Sequence, residues 1–356
     1  MGTIEQILDL ARWAPSGDNT QPWRFEILDD RRFVVHGFDT RDAVVYDIDG
    51  HASQIALGAL LETIEIAASQ YGLRPSVTRR AGLPDTKLTF DLELNSNDGE
   101  QGNPLAEYIR TRSVQRRPLS PKSLPPSQKA ALEASIGSDL RMQWFDGTAA
   151  KLKVAALMFL NAKLRLTMPE AYEVHRSVIE WNAKFSVDRV PEAAVGLDPL
   201  TARLMRGVMK SWDRVHFMNR FLAGTWVPRI QLDFIPSLAC GAHFVIFAER
   251  EPQTVDDFVA AGRVWQRFWL TASQHSLWLQ PEITPIFFSM YVRRNKRFSK
   301  ASGMWEQAVA ISKGFERLVG TERAAKAVFM GRIGAGRGPV ARSLRLPLEQ
   351  LLVRRR

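Results

Sequence analysis

The chain has one cysteine in 356 residues, six histidines and no long apolar run. Cys240, in "PSLACGAHFVIF", can form no internal disulfide, and its apolar neighbours suit a buried structural thiol in a reducing cytoplasm. No stretch approaches the roughly 18 consecutive apolar residues of a membrane span. The opening "MGTIEQILDLARW" carries Glu5 and Asp9 where a signal peptide would be apolar. The histidines lack the His-x-x-x-His spacing of a metal site, and there is no Cys-x-x-Cys or Gly-x-Ser-x-Gly, so no metal is expected and zinc or hydrolase chemistry has little support. In "GRIGAGRG" the glycines fall at 331, 334, 336 and 338 and follow an expected helix, which argues against a separate dinucleotide-binding fold.

What is present is a globular composition, 45% hydrophobic and 24% charged, with a formal net charge of +10. Much of the basic excess sits in "RTRSVQRR" at 110–117 and in the last 25 residues, including "GRGPVARSLRLP" and "VRRR". Clustered guanidinium groups suit a phosphate-bearing small ligand as well as a polymer, and a solvated face with a loose tail would have the same composition. No nucleic-acid-binding module is recognisable, so the expected partner is a small molecule, with neither nucleic acid nor membrane.

Apolar periodicity predicts a helix over 3–13, a strand pair over 23–28 and 32–37, and a long central helix from His51, apolar on most faces. Strands near 75–81 and 86–94 precede the polar break "NSNDGEQGNP", the best boundary in the chain. A helix over 126–135, a strand over 140–145, a mainly helical insert over about 148–235 and the strand "HFVIFAERE" follow. Then "AAGRVWQRFWLTASQHSLWLQP" repeats the design of "ALGALLETIEIAASQYGLRP": with Gly58 set on Gly262, Ala68, Ser69, Gln70 and Leu73 fall on Ala272, Ser273, Gln274 and Leu277. Either two apolar helices match by chance, or the chain is two related halves, 1–100 and 101–356, whose small residues let the helices approach across a pseudo-two-fold axis.

The loop "PSGDNTQPW" is richer in special residues than a simple connection requires. Pro15 and Pro22 stiffen it, Asn19 and Gln21 offer amide donors and acceptors, and Trp23 offers a flat face. That inventory fits a planar heteroaromatic ligand with polar edges, or a structural turn. "APSGDNTQPWRFEI" resembles the Ala-Pro-Ser-x-x-Asn-x-Gln-Pro-Trp-x-Phe segment of the FMN-dependent nitroreductase family. The resemblance implies an α+β nitroreductase-like fold with antiparallel-rich sheets, and it nominates Ser16, Asn19 and Gln21 at the flavin ring with Trp23 packed beside them. The family's Arg-x-Ser/Thr-x-Arg phosphate segment is similar to Arg112-Ser113-Val114-Gln115-Arg116, with Val114 at the usual hydroxyl position. "RSLRLPLEQLL" resembles a C-terminal Ser-x-Arg-x-Pro-Leu pattern and nominates Arg345, with Leu344 where proline is frequent. The loop "QPEITP" resembles the backbone approach to the flavin N5 region and nominates Thr284.

By the same resemblance, the ring loop of one half and the arginines of the other assemble one FMN site per chain, as in tandem single-chain relatives. The expected form is a pseudo-dimeric monomer or a further homo-oligomer. The expected chemistry is hydride transfer between NAD(P)H or an organic donor and an electron-poor aromatic or quinone; the alternative is non-catalytic FMN storage. The insert is expected to form a lid, in which Trp212 and His216 are candidate substrate contacts or ordinary packing.

Overall fold

Two four-stranded antiparallel sheets with the same strand order flank a pair of long helices that cross at glycines. The computed structural model describes residues 2–353 except 98 and 100, so the arginines at 354–356 of the basic tail lie outside the described residues. The first half runs α1 (Thr3–Ala11), β1 (Trp23–Ile27), β2 (Arg32–Gly37), α2 (His51–Ser69), β3 (Leu73–Arg79) and β4 (Thr89–Ser96). Ile4, Ile7, Leu8 and Ala11 recur at helical spacing and are the buried face of α1. The sheet order is β1-β2-β4-β3. Phe25, Phe33, Val35, Phe90 and Leu92 pack from it onto Ile7, Leu8, Leu57 and Leu60. The third and fourth strands sit at 73–79 and 89–96 rather than 75–81 and 86–94. Gly72 turns the chain with φ 65°, which lets β3 begin at once.

The second half opens with α3 (Pro126–Ser135), β5 (Leu140–Phe145) and α4 (Thr148–Thr167). The insert continues through α5 (Pro169–Val178), the two-residue strands β6 (Ile179–Glu180), β7 (Phe185–Ser186) and β8 (Val190–Pro191), then α6 (Pro199–Val208), α7 (Trp212–Phe221), α8 (Trp226–Arg229) and α9 (Ile235–Leu238). Next come β9 (Ala242–Ala248), α10 (Val255–Gln274), β10 (Trp278–Pro281), α11 (Thr284–Arg293), α12 (Met304–Val319), α13 (Thr321–Lys326), β11 (Ala327–Gly334), β12 (Arg342–Ser343) and α14 (Leu348–Leu351). The second sheet is β10-β11-β9-β5. In chain order both sheets read first, second, fourth, third, and each places its long helix between its second and third strands. Gly331 and Gly334 lie inside β11, so the glycine-rich run ends a strand instead of following a helix, and an extended tail comes after it. The final residues return to the first half: Leu348 and Leu351 join its core, and the Val353 N–H donates to the Phe25 carbonyl at 2.7 Å.

Helix α2 is buried on nearly every face because α10 covers the side turned away from its own sheet. A β-carbon at Gly58 would collide with the Val259 carbonyl, and one at Gly262 with the Ile55 carbonyl. The contact is reciprocal at one offset, 204 residues (262 − 58 and 259 − 55). The same offset relates two polar pairs: Gln266 Nε2 donates to Thr63 Oγ1 at 3.0 Å, and Arg267 pairs with Glu62 at 3.4 Å. One side of the crossing is thus joined by a neutral hydrogen bond and the other by an ion pair. Mixed α+β architecture with antiparallel sheets agrees with the expectation from sequence.

Candidate functional site

A cavity of about 260 Å³ opens between α2 and α10. Ala52, Ile55, Ala56 and Ala59 of α2 form one wall, and Trp265 and Trp269 of α10 with Phe329 and Phe287 form an aromatic one. The small alanines leave the space. At the positions related by the helix offset, Ala59 becomes Arg263 and Trp269 becomes Glu65, and Arg263 is ion-paired with Glu62 and Glu65. An ion pair therefore stands on that side of the crossing where the cavity stands on this one.

The remaining walls are polar. Loop 15–19 contributes Pro15, Ser16, Gly17, Asp18 and Asn19, the linker contributes Arg112, Ser113, Val114 and Arg116, and the C-terminal segment contributes Arg342, Ser343 and Arg345. The loop keeps an unusual backbone, with left-handed φ at Asp18 (49°), Asn19 (65°) and Gln21 (48°). Asp and Asn tolerate this region; Gln does so at a cost of order 1 kcal/mol or more. Gln21 is held by its own side chain: Nε2 donates to the Asn19 carbonyl (3.1 Å) and the Val187 carbonyl (2.9 Å), and Oε1 accepts from Leu346 N–H (2.9 Å). Ser16 Oγ closes the loop by accepting the Gln21 N–H at 2.9 Å.

Four arginines converge on the cavity, and among the described residues none of them pairs with a carboxylate. Arg112, 3% exposed, donates to the Trp13 carbonyl and lies 4.2 Å over the Trp269 ring. Arg116 donates to Ala194, Arg342 to the Arg110 and Arg112 carbonyls, and Arg345 to those of Ala14 and Leu344. Burial, reinforced by Arg345 and Arg342, holds Arg112 well below the ordinary guanidinium range. Burial, with Arg342 and Arg12 nearby, pushes Arg345 down to about 9. Buried cations supported only by carbonyls carry an unrelieved desolvation cost, which an anion at the same place would offset.

Several buried polar atoms of the lining also lack partners: Asn19 Oδ1, Gln280 Oε1, Arg112 Nε and Arg342 Nε. The cavity thus offers unsatisfied acceptors and donors beside an aromatic wall. Such a set fits a flat heteroaromatic ring with amide edges joined to a phosphate. Residues 1–54 match the model of the nitroreductase family. That match covers loop 15–19. The uncharacterized protein MT1398 of Mycobacterium tuberculosis (strain CDC 1551 / Oshkosh) is 23% identical over 302 residues, 84% of this chain and 41% of the relative. The chain thus spans about two fifths of the length of the relative it matches. A nitroreductase-like family protein from Bacillus cereus is 12% identical with a TM-score of 0.36, covering 71% of this chain and 97% of its own. The FMN-dependent nitroreductase NfnB from Mycobacterium smegmatis, solved with NADPH, is 14% identical with a TM-score of 0.39, covering 71% of this chain and 98% of its own.

Of the residues nominated from sequence, Ser16, Asn19, Arg112, Ser113, Arg116 and Arg345 line this one cavity. Gln21 and Trp23 do not: the Gln21 amide is committed to the protein, and Trp23 is fully buried in the first core. Thr284 faces an adjoining cavity of about 180 Å³, where its Oγ1 accepts from Asn161 at 2.8 Å. Trp212 and His216 line neither cavity; Trp212 packs on Tyr172 and is 6.2 Å from the His216 ring, which is exposed. The insert instead reaches the site through residues 187–194, by carbonyls of Val187, Arg189 and Ala194. Sequence reasoning missed Arg342, three residues before Arg345, and Trp265 and Trp269, whose i,i+4 spacing reads as helix core. Among the described residues no group of three or more His, Cys, Asp or Glu side chains is placed to hold a metal ion, and no helix is long and apolar enough to cross a membrane.

Proposed function

We propose that the chain is an FMN-dependent oxidoreductase of the nitroreductase type, holding one FMN between its halves and moving hydride between NAD(P)H or an organic donor and an electron-poor aromatic or quinone. The four arginines that line an aromatic-walled cavity, Arg112 and Arg345 buried and Arg116 and Arg342 half-buried, none of them ion-paired with a carboxylate among the described residues, carry this reading. Arg112, Arg116, Arg342 and Arg345 would hold the phosphate, with Ser113 beside them. Asn19, Ser16 and Gln280 would meet the polar edge of the ring, and Trp265 and Trp269 its apolar surroundings. The flavin, when bound, supplies hydride acceptance and donation. Val190 and Ala194 would cover part of the bound group.

The matched strand orders and the reciprocal glycine crossing support descent from a duplicated unit, with a first half of 1–100, a second of 101–356 and the helical insert at about 148–235 as lid. On that reading the chain is its own dimer, the Arg263 ion pairs stand where a second flavin would lie, and the stoichiometry is one. The compartment expected from sequence, the cytoplasm, agrees with the lone buried Cys240. FMN storage is favoured by one observation: the lid is stitched to the site by parallel pairing of β7 with β12 and by Asn19 and Ser343, which both donate to the Arg189 carbonyl.

Spectra of the desalted protein, with anaerobic NADH and NADPH, test the proposal. Flavin at about one per chain that bleaches with a nicotinamide supports the enzyme; flavin that resists both supports storage or an enzyme fed by another donor; a protein that takes up no FMN refutes both. Arg345→Met adds a signed test. Each charge-assisted hydrogen bond to phosphate contributes about 1.5–3 kcal/mol, so FMN affinity should fall roughly tenfold or more. The apo-protein, relieved of a buried cation, should melt no lower than wild type.

A further inference from the structure

The outer face of the insert is apolar where a solvated surface would be polar. Nine of the sixteen exposed large apolar side chains among the described residues fall between 200 and 235, so they are concentrated rather than scattered. On α7, Phe217 and Phe221 stand one turn apart with ring centroids 5.1 Å apart. Leu222 and Ala223 follow in an exposed turn, and Trp226 and Val227 open α8. Phe217, Phe221, Leu222 and Trp226 are 54–63% exposed, too open to line a groove. At about 150–250 Å² for an aromatic side chain, the three more-than-half-exposed rings present roughly 250–400 Å². That already reaches the range of the largest apolar patch on a typical monomer, before the aliphatic neighbours are added.

The segment from Phe221 to Pro228, "FLAGTWVP", has no charged residue. Its turn satisfies its own backbone: the Leu222 and Gly224 N–H groups donate to the Met218 carbonyl at 3.0 and 2.9 Å, and the Trp226 N–H donates to the Ala223 carbonyl at 2.9 Å. A segment that enters hydrocarbon has to meet this condition, because no water is there to replace those bonds. The exposed charges around it in the chain are nearly all of one sign. Between 199 and 235 they are Arg203, Lys210, Arg214 and Arg220, with Asp213 the one exposed acid. Asp233 is buried and paired with Arg165. Arg220 lies 5.5 Å over the Phe221 ring, so base and apolar tip are neighbours in space.

We propose that the tip of the insert, residues 217–227, docks on an anionic lipid bilayer: Phe217, Phe221, Leu222 and Trp226 enter the interface, and Arg214 and Arg220 lie against the lipid phosphates. A second copy of the chain fits this face less well, since a two-fold contact would set the basic rim against itself. A tip that lies in the surface needs no spanning segment, so the lack of one, from which no membrane partner is expected, leaves this face open to lipid. The same insert reaches the arginine-lined cavity through the carbonyls of Val187, Arg189 and Ala194, so lipid contact and cavity cover belong to one structural unit. The surface and its test stand without any cofactor.

The full chain is sedimented with vesicles of phosphatidylcholine alone and with vesicles of phosphatidylcholine and phosphatidylglycerol in equal parts. Binding should require phosphatidylglycerol and weaken as salt rises. Phe221→Ser with Leu222→Ser should lower the affinity about tenfold or more. Arg214→Gln and Arg220→Gln should lower it about fivefold each. Phe221 and Leu222 are both exposed, so the double variant should melt with the wild type. Brominated phosphatidylglycerol should quench tryptophan emission more in the wild type than in Trp226→Phe, a readout that leaves the other tip residues in place. A wild-type chain that stays in the supernatant with anionic vesicles overturns the proposal and leaves a protein partner as the occupant. Equal binding to both kinds of vesicle, a double variant that binds as tightly as wild type, or equal quenching with and without Trp226 overturns it as well. A wild-type dimer in lipid-free sedimentation velocity that the double variant abolishes would overturn it in favour of a second copy on the same face.

Discussion

Replacing Gly58 by alanine pits two effects of opposite sign against each other. Alanine is favoured over glycine in a helix interior by about 0.8–1.0 kcal/mol. The new methyl, however, would overlap the Val259 carbonyl and press on the Cα of Gly262. Both obstacles are backbone in a packed helix, so no side chain can rotate away, and the two helices must separate. Overpacking of this kind costs about 1–3 kcal/mol, occasionally more. With the obstacle in the backbone the upper end applies, and the net loss should be about 1–2 kcal/mol. Separation would also part the alanine wall from Trp265 and Trp269, so on the proposed reading FMN affinity should fall with the stability. Gly207 supplies a control, being helical with nothing within 4 Å of a built β-carbon. Gly207→Ala should stabilise by roughly 0.5–1 kcal/mol. Thermal melts of the two variants, followed by circular dichroism and by flavin release, check both signs. A Gly58→Ala protein that melts at or above wild type would refute the close-crossing account.

Glu282→Gln should destabilise by about 3–5 kcal/mol in denaturant titration, because it strands two buried cations: His243 lies 2.8 Å and Arg332 3.2 Å from the Glu282 carboxylate. Burial opposes protonation of His243, but the Glu282 charge and hydrogen bond outweigh it and raise the imidazole to about 10. Its stabilising contribution is therefore full below 6.5 and lost as pH rises through about 10, while that of Glu282, whose pKa is lowered, is lost as pH falls through its folded value. His51, stacked 3.8 Å from Phe258, has the opposite sense: burial, with Arg294 and Arg41, lowers it to about 3, so stability falls as pH drops below 6.5. His51→Phe should make the melting temperature less sensitive to pH between 6.5 and 4.

The elements were legible where periodicity and turn chemistry agreed. The helix at 126–135 and the strand at 140–145 have their expected bounds, and α2 reads as buried because Ala, Leu and Ile occupy both of its sides. Loop 15–19 stood out in the sequence because it holds more special residues than a simple connection requires, and it lines the larger cavity. Two kinds of feature were hidden. Gln21 and Asn19 are both amides in one loop and both donate to the insert, yet only Gln21 also has its oxygen engaged, by Leu346, while Asn19 Oδ1 is left without a partner in the cavity lining, a distinction made by a segment 325 residues away. Trp265 and Trp269 look like core in a linear pattern; only the alanines of α2, across the crossing, leave room beside them.

The return of residues 346–353 to the first sheet closes the chain into a ring of contacts. The linker carries the polypeptide forward out of the first core, and α14 carries it back, with Arg342 and Arg345 on the way. A fragment ending at residue 100 would lack Leu348 and Leu351 from its interior and the Val353 pairing at its edge. The segment that finishes the first sheet is synthesised after every strand of the second, so the first core, and the arginine cluster beside it, can be completed only once α14 has followed.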